Sequence, residues 1–226
     1  MNKRVRIISP IHDNNEYGDM PKLVDTNWTH VSVLVDTSGS MESLNPENTS
    51  KQLTGLISEQ TGGQVTVTVA RFSDKYEIFL NNVNAKDVKI TAQDIRPDGS
   101  TALYESFCKM IEDVDKFIDG IDTVPNKIVI IVLTDGEENA STGKYANSSG
   151  RELLNSNIKT KQEKDNWIFY FLGTNIDAIK TGTDFGIPRE TCINYGSSET
   201  GCTNVLRSTS QALNRVRQSQ QTNYRD

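Results

Sequence analysis

The residues with the clearest capacity for chemistry sit in Asp36-Thr37-Ser38-Gly39-Ser40, directly after the apolar run Val31-Ser32-Val33-Leu34-Val35. Asp36, Ser38 and Ser40 put three oxygen-bearing side chains at alternate positions, and Gly39 lets the chain turn tightly between the last two. Small oxygen donors gathered at a strand end suit a hard divalent cation: magnesium or manganese, with calcium also compatible, rather than zinc. Alone this pattern is weak, because Ser and Asp also make ordinary turns and helix N-caps. Two later stretches strengthen it. Asp98-Gly99-Ser100-Thr101-Ala102-Leu103 is a glycine turn running into a helical pattern, which places the Thr101 hydroxyl at a helix start. Lys127 to Leu133 is a second continuous apolar strand, closed by Thr134-Asp135-Gly136.

Such donors need a scaffold that brings distant strand ends together. Val31–Val35 and the run at 127–134 both read as buried strands, and in a parallel sheet their carboxyl ends share one edge, where ligands bind. Asp36 and Asp135 should then face each other. Between them, Pro46 opens a helix to about Gln60 with Asn45 as its N-cap, stopped by Gly62-Gly63. Gln64–Phe72 alternates cleanly, and with Tyr76–Leu80 it predicts an antiparallel hairpin at a sheet edge. Leu103, Phe107, Met110, Ile111, Val114 and Ile118 recur at helical spacing over 101–119, with Gly120 as the stop. A polar helix over 149–164, an apolar strand at 167–173, a short helix at 177–185, a last strand at 192–195 and a helix from Val205 to about Arg217 follow. Pro125 is expected to precede its strand, and Val5–Ile8 to make a short one. This order predicts an α/β three-layer sandwich, doubly wound, with a mostly parallel central sheet and one antiparallel edge strand.

Asp36/Ser38/Ser40, Thr101 and Thr134-Asp135-Gly136 resemble, in order and spacing, the von Willebrand factor A-like domains that carry a metal-ion-dependent adhesion site. Phe171 to Asn175 and the late Asn194-Tyr195-Gly196 are similar in style to stand-alone prokaryotic and phage members. The resemblance covers about residues 28–217, leaving an N-terminal arm at 1–27 and a polar tail at 218–226. It implies a metal site in which Ser38, Ser40 and Thr101 coordinate directly, while Asp36 and Asp135 supply charge directly or through water. Thr101 would be the ligand that exchanges with Asp135 as the site switches state. The resemblance further implies a non-enzymatic module whose protein partner offers an Asp or Glu to the ion. Nearby Glu42, Glu137, Glu138 and Asp98 are candidates for tuning the charge of the site.

Composition narrows the alternatives. A formal charge of -6 opposes general nucleic-acid binding, and no apolar run is long enough to span a membrane. The N-terminus lacks the apolar stretch of a secretory signal, and three scattered cysteines, Cys108, Cys192 and Cys202, read as reduced thiols. The expected location is therefore cytoplasmic, or a virion or host cytoplasm for a phage-encoded chain. His12 and His30 are the only histidines and have no Cys or His cluster around them, which disfavours a zinc site. A magnesium-dependent phosphohydrolase with Asp36 as nucleophile would need a second carboxylate at position 38, where Ser stands, and no P-loop or nucleophile elbow occurs. A further alternative is a structural component whose ion only staples loops, as part of a larger assembly.

Overall fold

A computed structural model describes residues 5–7, 22–60, 62–164, 166–174, 177–196 and 198–222. His12, most of the expected arm, Asn175 and the last four residues lie outside them. The strands are β1 (Val5–Ile7), β2 (Leu23–Asp36), β3 (Gln64–Phe72), β4 (Tyr76–Asn84), β5 (Thr123–Thr134), β6 (Trp167–Gly173) and β7 (Cys192–Asn194). Among them run the helices α1 (Pro46–Ser58), α2 (Leu103–Asp119), α3 (Asn147–Gln162), α4 (Ala178–Asp184) and α5 (Glu199–Thr222).

The sheet follows the order β4-β3-β2-β5-β6-β7, parallel along this path except for β4, which closes one edge antiparallel to β3, while the short β1 pairs antiparallel with the start of β2. This is the expected sandwich. β2 and β5, the two strands that carry the candidate carboxylates, lie side by side in the middle, with Val35 opposite Leu133. Alternation then divides the core. Val31, Val33, Val35, Val67 and Val69 point to the side of α1 and α5, whereas Leu34, Ala70, Phe72, Ile130 and Val132 point to the side of α2, α3 and α4. Because both faces are covered, the central strands carry continuous apolar runs.

Four boundaries differ from expectation. β2 begins at Leu23, inside the stretch assigned to the arm, because Leu23–Asp25 is paired with Thr123–Pro125 on one side and with β1 on the other. The register shifts between Asp25 and Thr29, where Asp25 Oδ1 accepts from the Asn27 amide at 3.0 Å. That bulge breaks the polar sequence Asp25-Thr26-Asn27 out of any strand pattern. Pro125 lies within β5 rather than before it, next to the same irregularity, where a missing amide proton is tolerated. α3 begins at Asn147, whose φ of 56° is an unusual start for a helix. α5 starts at Glu199, six residues before the apolar pattern, with Ser198 Oγ accepting from the Gly201 amide at 3.1 Å.

The other end of the sheet is tied by polar groups. Lys22 Nζ donates to the carbonyls of Ile118 and Asp119 at 2.7 and 2.9 Å, satisfying the open end of α2. Deeper in, the Thr66 hydroxyl accepts from Trp28 Nε1 at 2.9 Å and lies 2.9 Å from His30 Nδ1. Burial keeps the His30 imidazole neutral at ordinary pH. The ring is buried against Phe117 of α2 at 4.8 Å between centroids, and burial pushes its pKa down to about 4. His30 is therefore a core residue. Cys108, Cys192 and Cys202 are free and buried, as the reading of unpaired thiols expected.

Candidate metal centre

β2 and β5 end together, and their last residues make the floor of the site. The Thr134 hydroxyl donates to Asp36 Oδ2 at 2.5 Å, while the Ser38 amide donates to Asp36 Oδ1 at 2.7 Å. Asp36 is thus held by a side-chain hydroxyl of the neighbouring strand and by the amide of Ser38. Beyond it the chain turns through Gly39–Ser43, which returns Ser38 and Ser40 to the strand end. Ser40 Oγ donates to Asp135 Oδ1 at 2.6 Å, so its oxygen accepts from Ser38 Oγ, 3.1 Å away. Four of the five expected residues are therefore joined in one hydrogen-bonded chain.

Thr101 completes the set. A Cβ placed on Gly136 would lie 3.1 Å from Thr101 Oγ1 and 3.4 Å from Ser40 Oγ, so both hydroxyls face the same point beside Asp135. Gly136 leaves this cradle open because it has no side chain to fill it. Asp36, Ser38, Thr101 and Asp135 are almost wholly buried, whereas Ser40 is exposed and marks the mouth. Gly136 also borders a cleft of about 170 Å³ walled by Leu103, Tyr104, Arg151 and Phe185, which leaves that flank accessible.

Thr101 is seated through its backbone. Its amide donates to Asn139 Oδ1 at 2.8 Å, and its carbonyl accepts from the amides of Asn139 and Ala140 at 3.0 and 3.1 Å. α2 lacks a local cap at Ala102, and residues from the loop after β5 supply one. Glu138 Oε2 accepts from the Tyr104 amide at 2.8 Å, and Ser141 Oγ accepts from the Glu105 amide at 3.0 Å. Glu138 also accepts from the amides of Ala140 and Ser141 and from the Ser141 hydroxyl. This fixes Glu138 as the clamp between the two loops. Glu138→Ala should cost about 2 kcal/mol of unfolding free energy, the upper range for losing a helix cap. Urea denaturation of the metal-free protein checks this; a loss below a few tenths would contradict the assignment.

The electrostatics are those of a place short of positive charge. Burial pushes the Asp36 carboxyl up to about 6; hydrogen bonds from Ser38 and Thr134 pull it back, and the charge of Asp135 pushes it further up. Burial also raises Asp135, against the Ser40 hydrogen bond. Asp135 Oδ2 is buried and has no hydrogen-bond partner among the described residues. An orphaned carboxylate oxygen beside a second buried carboxylate and three hydroxyls is a donor set that fits a hard divalent cation. The residues present therefore could hold one.

No protein-family model matches the sequence, and no curated protein matches it. Solved structures do. A von Willebrand factor type A protein from Catenulispora acidiphila superposes with a TM-score of 0.55 at 13% identity, over 84% of this chain and 43% of that one. The chain has a von Willebrand factor A-like fold. The ArnB paralog VWA2 from Sulfolobus acidocaldarius gives 0.54 at 18% identity, over 79% of this chain and 44% of its own. Proximal thread matrix protein 1 from the mussel byssus, solved with a zinc-occupied MIDAS motif, gives 0.54 at 16% identity, over 82% and 45%. The chain thus spans less than half the length of these neighbours, and the similarity concerns their von Willebrand factor A-like fold alone.

Of the acidic residues near the site in sequence, Glu42 and Glu137 are exposed, and the Asp98 amide donates to the Thr37 carbonyl at 2.7 Å. Sequence reasoning quoted Thr134 only as part of a motif and gave Asn139 no role. Their partners, Asp36 and Thr101, lie far away in the chain, so no local pattern could reveal the bonds.

Proposed function

We propose that the chain is a metal-dependent protein-interaction module. Asp36, Ser38, Ser40, Thr101 and Asp135 hold a magnesium or manganese ion, and an acidic side chain of a partner protein completes its shell. The observation that carries this reading is Asp135 Oδ2, buried without a partner among the described residues and beside the hydroxyls that line the Gly136 cradle. When bound, the ion supplies an electropositive point with room for another oxygen. The protein's own residues then divide the work. Asp36 and Asp135 bring the charge, the serine and threonine hydroxyls add neutral oxygens, and Thr134 and Glu138 hold the loops in place.

A role as a mere loop staple is less well supported, because the loops are already joined without an ion. The Thr37 amide donates to Phe72 O, Gly39 to Gly99 O and Ala102 to Ser73 O, at 2.7, 3.0 and 2.7 Å. Phosphoryl chemistry at Asp36 is disfavoured too, since both its carboxylate oxygens accept hydrogen bonds from the protein and the residue is 1% exposed. The zinc reported for the mussel protein makes zinc a necessary arm of any metal screen, although an all-oxygen donor set favours harder ions.

Calorimetric titration with magnesium, manganese and zinc tests the ion; co-purification in magnesium against chelator tests the partner. The bonds that seat Thr101 run through its backbone, so Thr101→Ala should fold normally. Its capture of the partner in magnesium should fall to the level seen with chelator. Equal capture by Thr101→Ala and the unsubstituted protein would contradict the engaged site.

A further inference from the structure

Tyr195 lies at the same sheet edge and has no role in the arrangement above. It follows β7, and its amide donates to the Gly173 carbonyl at 2.9 Å; Gly173 in turn pairs with Thr134, the residue before Asp135. The ring is packed in the apolar layer that includes Val35, Met41, Leu133, Leu172 and Cys202, with only 9% of the residue exposed. An aromatic residue in such a place ordinarily gives its hydroxyl to a partner. Tyr195 does not: among the described residues its hydroxyl is buried without one, as is Asp135 Oδ2. Burial holds the phenol above its ordinary pKa, and Cys202, Asp135 and Asp36 raise it further. A donor and an acceptor, each buried without a partner among the described residues and carried at the same end of the sheet two strands apart, are complementary in kind.

We propose that Tyr195 is a positioning residue of the metal centre: when the ion is bound, its hydroxyl donates through a shared water toward Asp135 Oδ2 and keeps that carboxylate aimed at the ion. This rests on the proposed metal site. Phenylalanine preserves the packed ring and removes only the hydroxyl. In the metal-free protein that change deletes a buried, unpaired polar atom, which is neutral or stabilising. In the metal-bound protein it loosens the support of a ligand, which lowers affinity by about tenfold or more. The two effects have opposite signs, and no merely structural role of the ring would produce that pair.

The experiment measures manganese affinity by calorimetry, and the melting temperature in EDTA, for the unsubstituted protein and for Tyr195→Phe. The expected result is a Tyr195→Phe protein that melts at the same temperature or higher without metal and binds manganese at least about tenfold more weakly. Unchanged affinity beside a native protein that binds manganese would overturn the role of Tyr195 and leave the metal site standing. Joint loss of affinity and of metal-free stability would assign the hydroxyl to folding and overturn the proposal. A native protein that binds no manganese would overturn the metal site and this proposal with it.

Discussion

Asp135→Asn should lower manganese affinity by at least about a hundredfold, or roughly 3 kcal/mol, while leaving the metal-free protein as stable as before or more so. The two halves of the expectation have one cause. Asp135 and Asp36 are both removed from water, and the charge of Asp135 makes Asp36 harder to ionise. Without a cation these are unfavourable terms, and the amide relieves them while its oxygen can still accept from Ser40 as Asp135 Oδ1 does at 2.6 Å. With a cation the same charge becomes the main source of affinity. Calorimetry of the bound form and thermal melting in EDTA read the two effects separately. An Asp135→Asn protein that binds manganese as well as the native chain would remove Asp135 from the ligand set.

The second large effect lies in the middle of β2, six residues before Asp36. His30 has a folded-state pKa of about 4 against an unfolded value of 6.5, owing to burial. The unfolded chain therefore binds the proton more readily than the native one between those values. Above pH 6.5 the imidazole is neutral in both states and pH has no leverage. As pH falls from 6.5 to about 4, stability drops, by up to about 3 kcal/mol at 1.36 kcal/mol per unit. His30→Gln removes the titration and retains a neutral side chain able to pair with Thr66. Urea unfolding of the two metal-free proteins across this window should show the native chain losing stability faster. Taking the difference cancels the carboxylate titrations common to both, and parallel pH profiles would contradict the assignment.

Much of the architecture was legible because it follows from short-range patterns. Val31–Val35 and 127–134 are apolar on both faces, and the structure places them at the centre of a covered parallel sheet. Asn45 was readable as a cap, and its Oδ1 accepts from the amides of Glu47 and Asn48 at 3.0 and 3.3 Å. The five candidate ligands were legible for the same reason: small oxygen side chains and glycines at strand and helix ends stand out locally. What stayed hidden depended on distant contacts. β2 extends through Asp25-Thr26-Asn27 only because β1 and β5 flank it, and α5 begins at Glu199 where the local sequence Gly201-Cys202-Thr203-Asn204 gives little helical signal. Glu138 was read as a possible tuner of charge, yet its partner is the first turn of α2, 34 residues away. Tyr195 was read only as part of Asn194-Tyr195-Gly196, because its significance lies in what its hydroxyl lacks.

The central claim is that oxygen donors from three separated stretches surround one divalent ion. Diffraction from crystals grown in manganese, with data collected at the manganese absorption edge, tests it most directly. The account predicts one anomalous peak within about 2.5 Å of the Ser38 and Ser40 hydroxyl oxygens, beside Thr101 and Asp135. A manganese-saturated crystal with no anomalous density at the ends of β2 and β5 would contradict it.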